Sequence, residues 1–278
     1  MLSLYATFAE PPPPTISLAL SFPAPFVLLV TINREKQMNS IPMAGHTEAE
    51  AVWTWFDEEP ALRVAIVTGQ GRKSFCAGAD LHEVNKTRGK GTAPQPMPVG
   101  GFLGITRRVG KKPVIAAVNG YAYGGGFEIA LNCDMVVASP TAKFSLPEAK
   151  RGIYAGAGGL PRVVRTFGMQ LAGEIALAGR ILTGEELRQL GFCRVSATQE
   201  SLIEEAVALA KDVASQSPDA LIVTRAGLRQ AWETASVERS AQLTDERYAK
   251  VLLEGENMKI GTAAFAQKRE PEWVPSKL

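Results

Sequence analysis

The 278-residue chain is 46% hydrophobic and 21% charged, ordinary values for a soluble globular protein with one large domain or a core plus a small appendage. Its formal net charge of +2 excludes a strong overall field toward nucleic acid or an anionic membrane surface. The three cysteines, Cys76, Cys133 and Cys193, have neither zinc-type nor redox spacing, so three reduced thiols and no metal site are expected.

Residues 1–15 run into four consecutive prolines at 11–14 and read as a flexible, extended arm. A strand pair is expected at 16–20 and 26–32; the second is strand-length and too short to span a bilayer, so no membrane segment is expected. The N-terminus lacks a basic region followed by an apolar stretch, and no secretory signal is expected. Ala51, Val52 and Trp55 give residues 48–57 helical spacing. His46 has no motif around it and reads as a surface residue. Residues 64–68 are a short apolar run stopped by Gly69, which suits a strand buried on both faces. Residues 86–104, rich in Gly, Pro and Lys, read as a mobile loop. Further buried strands are expected at 113–119 and 135–138.

Strands alternating with helices argue for an α/β fold with parallel strands. From Ser201 the texture changes to helix formers, with helices expected at 202–213, 219–232 and 237–253. The expected organisation is the arm, a core over 16–200, a helical region over 201–270 and a tail over 271–278. Pro271 and Pro275 keep the tail from continuing a helix. Its last residues are Ser276-Lys277-Leu278, a tripeptide that an import receptor reads as a peroxisomal address when it is free and terminal. Peroxisomal localisation and that receptor as a partner are therefore expected.

Three glycine-rich stretches carry the chemistry: Ser74-Phe75-Cys76-Ala77-Gly78-Ala79-Asp80; Asn119-Gly120-Tyr121-Ala122-Tyr123-Gly124-Gly125-Gly126-Phe127-Glu128; and Leu146-Pro147-Glu148, followed by Gly156-Ala157-Gly158-Gly159. A glycine run before a helix exposes unpaired N–H groups and binds any anion. The second stretch fits neither a P-loop, which needs a Gly-Lys-Ser/Thr ending, nor G-x-G-x-x-G. Each acid alone also suits an ordinary place in a helical first turn, but Glu128 stands among Phe127, Ile129 and Ala130, which points it at a pocket.

In this order and spacing the three stretches resemble the crotonase (enoyl-CoA hydratase/isomerase) superfamily, from about Phe26 to the segment ending at Arg269. The resemblance implies a spiral core of ββα turns with a helical C-terminal trimerisation region, a homotrimer or hexamer, and an acyl-CoA substrate. No cofactor is implied, since coenzyme A is part of the substrate. It implies an oxyanion hole from the N–H groups of Ala79 and Gly125, a water held between the catalytic acids Glu128 and Glu148, and Gly156 helping to position that water. It implies coenzyme A contacts at Ala77, Lys36 and Lys268. His82 departs from the pattern, standing where some hydratases carry a phosphate-binding lysine. Two acids favour an enoyl-CoA hydratase. The alternatives are a Δ3,Δ2-enoyl-CoA isomerase, which needs one shuttling base, and a non-catalytic CoA-thioester or RNA-binding member of the fold. The one basic cluster, Arg107-Arg108 with Lys111-Lys112, lacks aromatic interleaving, so nucleic acid is not the expected partner. The acyl group stays open between fatty chains and the branched, hydroxylated groups of fungal secondary metabolism.

Overall fold

The computed structural model describes residues 8–80, 83 and 96–278. The first half of the core contains β1 (Leu18–Ala24), β2 (Phe26–Ile32), α1 (Met43–Glu58), β3 (Leu62–Gly69), β4 (Ser74–Cys76), β5 (Val114–Val118), β6 (Tyr121–Tyr123), α2 (Gly125–Asn132), β7 (Met135–Ala138) and β8 (Lys143–Ser145). There follow α3 (Gly159–Phe167), α4 (Met169–Ala176), β9 (Leu182–Thr183), α5 (Gly184–Gln189) and β10 (Arg194–Val195). The chain continues as α6 (Leu202–Ala214), α7 (Pro218–Glu233), α8 (Val237–Glu254) and α9 (Glu256–Gln267).

A six-stranded sheet runs β1-β2-β3-β5-β7-β10, antiparallel at β1–β2 and parallel thereafter. Beside it lies a four-stranded sheet of short strands, β4-β6-β8-β9. Three times the chain leaves the large sheet for the small one: β3 to β4, β5 to β6, and β7 to β8. That repeat is the crotonase-like spiral. Every residue of β3 is buried because both faces of the large sheet are covered. Ala65 and Val67 face the main core with α1, while Val64 and Ile66 face Leu202, Ala206, Ala210 and Ala214. The four-residue spacing of that last set forms one ridge along α6.

The strands expected at 64–68, 113–119 and 135–138 form within two residues of those bounds, and α6, α7 and α8 begin within one residue of expectation. The first strand is displaced to Leu18–Ala24, its edge position accommodating Pro23. Helix α9 falls within the region expected to be helical, 201–270, without having been given bounds of its own. In the arm, Ala9 N donates to Glu59 Oε2 at 2.8 Å, and Trp55 Nε1 donates to the Glu10 carbonyl at 2.9 Å.

Two readings are corrected. His46 is 2% exposed: its Nδ1 accepts the Leu103 N–H at 3.0 Å, and its ring lies 4.5 Å from that of Phe102. Burial lowers its pKa to about 4, so the imidazole is a neutral acceptor. Of the segment read as a mobile loop, 86–95 lies outside the described residues, but 100–104 is fastened. Gly100 N donates to Glu50 Oε2 at 2.8 Å, Phe102 N to Thr106 Oγ1 at 2.8 Å, and Trp53 Nε1 to the Leu103 carbonyl at 2.9 Å.

The basic cluster is divided by burial. Arg108 pairs with Asp57 at 2.5 Å, and Lys112 Nζ donates to the carbonyls of Phe56 and Glu59 at 2.7 and 2.6 Å. Both are buried. The three cysteines are free thiols. Among the described residues, no helix is long and apolar enough to cross a membrane.

The tail makes no helix after Gln267, and it lies against the body. Trp273 Nε1 donates to the Ser215 carbonyl at 2.8 Å. The Asn257 side chain takes the N–H of Val274 and donates to its carbonyl, both at 3.0 Å. Asp219 accepts Ser276 Oγ and, at 3.3 Å, Lys277 N. Lys111 Nζ reaches the Leu278 carbonyl at 3.1 Å.

Candidate active site

The site begins where β4 ends. Its carrier is the turn 33–39: Asn39 Nδ2 donates to the Ser74 carbonyl at 2.6 Å, and Ala77 N donates to the Met38 carbonyl at 3.1 Å. Arg34 pairs with Asp80 at 2.7 Å. Ile41 N donates to the Gly78 carbonyl and Asp80 N to the Ile41 carbonyl, both at 3.0 Å. Those bonds fix the peptide of Ala79 from both sides. Gly78 has φ +96°, and a Cβ there would stand 3.2 Å from the Tyr123 carbonyl oxygen and 3.5 Å from Gly125 N. A side chain is strained at that φ and crowded in that space.

The second stretch supplies the facing wall. Gly125 opens α2, so its N–H belongs to the first turn that lacks an intrahelical acceptor. The Ala79 segment and the first turn of α2 thus line one cleft. All eight residues of α2 are buried, Glu128 among them at 3% exposure. Its Oε1 accepts the Gly159 N–H at 2.8 Å. Burial pushes its carboxyl above the usual range. The N–H groups of Gly159 and Ala157 and the charges of Arg162 and Arg107 pull the other way.

Glu148 starts the 3-10 turn Glu148–Arg151 after Pro147. A methyl at Gly124 would lie 3.0 Å from Glu148 Oε1, so this carboxyl stands over the entrance to α2. Its Oε2 is buried without a hydrogen-bond partner among the described residues. Its pKa is raised to about 7, first by burial and then by the charge of Glu128, against its own backbone N–H and Arg151.

Ala77, Ala79, Gly125, Glu128, Glu148 and Gly156 all line one cleft of about 420 Å³. Lys36, on the turn Glu35–Gln37, and Lys268, at the end of α9, are exposed and are not among its lining residues. His82 lies outside the described residues. Further lining residues not foreseen as site residues include Phe102, Arg107, Tyr123 and Tyr154. Phe102 sat inside the supposed mobile loop and Arg107 inside the basic cluster. Tyr123 stood in a quoted motif without a role, and Tyr154 carried no signal.

The cleft brings together the backbone of the Ala79 segment, the first turn of α2 and two carboxyls of unlike environment. A family model described as enoyl-CoA hydratase/isomerase matches residues 25–275. The chain belongs to that family, the crotonase superfamily. It is 49% identical to the mevalonyl-coenzyme A hydratase of Aspergillus fumigatus, over 95% of this chain and 98% of that one. It is 46% identical to the mevalonyl-coenzyme A hydratase of Beauveria bassiana, over 98% and 100%. Among solved structures, the enoyl-CoA hydratase of Mycobacterium tuberculosis superposes with a TM-score of 0.83 at 32% identity, covering 94% of this chain and 99% of that one. The crotonase member described here is accordingly an enzyme of the hydro-lyase type.

Proposed function

We propose that the enzyme reversibly adds water to a 2-enoyl-CoA thioester, and that its acyl group is of the mevalonyl type, a five-carbon chain with a methyl and a hydroxyl on C3 and a hydroxyl on C5. The observation that carries the reaction is the buried carboxyl of Glu128 and the half-buried carboxyl of Glu148 on one cleft, Glu148 Oε2 lacking a protein partner among the described residues. The acyl reading is supported by the two mevalonyl-coenzyme A hydratases that match nearly the whole chain.

In hydration, Glu128 takes a proton from water as its oxygen attacks C3. Charge develops on the thioester oxygen, where the N–H groups of Ala79 and Gly125 meet it; one such donor is typically worth about 3–4 kcal/mol. Glu148, carrying a proton, delivers it to C2. Dehydration runs the same path backward, with Glu148 as base. Gly156 lies beside the water, and Ala77, Lys36 and Lys268 are assigned to coenzyme A. Mixing purified enzyme with the 2-enoyl thioester of the mevalonyl skeleton, with crotonyl-CoA and with a 3-enoyl-CoA tests the reading. Loss of the conjugated-thioester absorbance is expected, fastest for the mevalonyl skeleton. Isomerisation of the 3-enoyl ester without hydration of either 2-enoyl ester overturns it.

The same reading places the enzyme in the peroxisome through Ser276-Lys277-Leu278, and gives it a homotrimeric or hexameric state. The late helices support assembly, since Leu228, Val237, Leu253 and Phe265 are 70%, 81%, 59% and 88% exposed in the single chain, and apolar surface of this kind marks an interface. A stable monomer by light scattering at micromolar concentration overturns the assembly claim. A fluorescent protein carrying the last ten residues, and remaining diffuse in cells that import a control cargo, overturns the location.

A further inference from the structure

The loop 156–159 touches Glu128 through the Gly159 N–H, and two of its carbonyls are held as well. Arg107, whose own N–H is tied to the Gly100 carbonyl at 2.9 Å, donates from a guanidinium nitrogen to the Gly156 carbonyl at 3.0 Å. Arg162, on the first turn of α3, donates to the Gly158 carbonyl at 3.0 Å.

These contacts fall on particular peptide units. The carbonyl of Gly156 and the N–H of Ala157 belong to one planar trans group, and so do the carbonyl of Gly158 and the N–H of Gly159. In a trans peptide the two dipoles point in opposite directions. Fixing a carbonyl on one side therefore aims the N–H to the other side, where Glu128 accepts the Gly159 N–H at 2.8 Å and the Ala157 N–H acts to lower its pKa. A hydrogen bond to the carbonyl also polarises the N–H of the same unit. The intervening Gly158 has φ +112°, and a Cβ there would overlap the Arg162 guanidinium.

We infer that Arg107 and Arg162 are positioning residues for the reaction, each clamping one peptide unit of the 156–159 loop so that its N–H faces the Glu128 carboxylate. They touch neither water nor thioester in this role. They set where the base points and how readily it stays ionised. The charged groups facing Glu128 are Arg107 from the 101–107 segment, Arg162 from α3 and Glu148 from the turn before the loop. Arg151 acts on Glu148.

The inference rests on the hydratase reading and is tested with the full-length enzyme. Arg107→Met, Arg107→Lys, Arg162→Met and Arg162→Lys are assayed for kcat, KM and the pH dependence of kcat. Each Met variant is expected to lose on the order of ten- to a hundredfold in kcat, as small misplacements of a catalytic group do, with KM changed less than about twofold. Their acid limb should move to higher pH, because Glu128 then holds its proton more tightly. The Lys variants should recover part of kcat and move the limb back. Arg107 is exposed, so its Met variant is expected to fold even where Arg162→Met does not. An active wild type whose Arg107→Met variant keeps both kcat and its acid limb overturns the inference, as does a loss confined to KM. An inactive wild type instead overturns the hydratase reading.

Discussion

Gly159 meets Glu128 in two ways: its N–H donates to Oε1 at 2.8 Å, and a methyl group on it would stand 2.6 Å from Glu128 Cγ. The close approach and the hydrogen bond depend on one another. Gly159→Ala should displace the carboxylate and lose at least about tenfold in kcat. Overpacking typically costs about 1–3 kcal/mol, so the urea midpoint should fall too. Unchanged kcat in Gly159→Ala would mean that the position of Glu128 does not matter.

Glu128→Gln and Glu148→Gln keep size and lose the ability to carry the proton. Each should lower hydration roughly 10²–10⁴-fold while product-thioester binding by calorimetry persists. Near-normal hydration in Glu128→Gln with a dead Glu148→Gln would point to the one-base isomerase chemistry.

Both directions of the reaction need one proton on the pair, on Glu148 for hydration and on Glu128 for dehydration. The two carboxyls act on each other and titrate as a unit. A bell-shaped kcat/KM is therefore expected in both directions with the same limbs, its alkaline limb near the pKa of about 7 given by Glu148. A hydration rate still flat well above that value would remove Glu148 as proton donor.

The same shift has a sign in stability. The carboxyl of Glu148 moves from an ordinary 4.5 to about 7 on folding, so the folded chain binds that proton more tightly than the unfolded chain. This contribution is fully present below pH 4.5 and is lost as pH rises through about 7. Glu148→Gln, which carries no charge, should gain stability relative to wild type across that window. The gain should reach roughly 1–2 kcal/mol above it, a figure discounted for the side chain's partial exposure. Denaturant melts of both proteins at pH 5 and pH 8 measure it; a gap that is equal at both pH values counts against the shift.

The strands at 64–68, 113–119 and 135–138 were legible because burial on both faces makes each a continuous apolar run, ended by Gly69, flanked by Pro113 and Asn119, or set between Asp134 and Ser139. The strands of the small sheet were not resolved as a second sheet. At two or three residues each, they are too short for a period to show. Helix α3 starts within a glycine motif and carries Pro161 in its first turn, where local pattern gives no helical period, and Gly158 and Gly159 make room there for Arg162 and Glu128. Helix α9 lay inside the region expected to be helical, but Gly261 weakens its local pattern; a Cβ there would meet the Trp273 ring at 2.9 Å. The glutamates could be read from motif spacing. Arg107 and Arg162 could not, since they act on backbone carbonyls that have no sequence identity. His46 was misread for a similar reason, its partner being the main-chain N–H of Leu103.

The terminal tripeptide is already occupied. Asp219, 8% exposed, and Asn257, 2% exposed, join through Asn257 Nδ2 and Asp219 Oδ2 at 2.8 Å and hold the segment from Val274 to Lys277 between them. The import receptor proposed above would compete with the enzyme's own surface for this tripeptide, and its binding would be governed by how often the clamp opens. The whole enzyme should then bind the receptor more weakly than its free C-terminal decapeptide does, by the fraction of time the tail is undocked. Asp219→Ala should narrow that difference without touching the cleft, which would make the strength of the proposed address a property set by two buried side chains on α7 and α9.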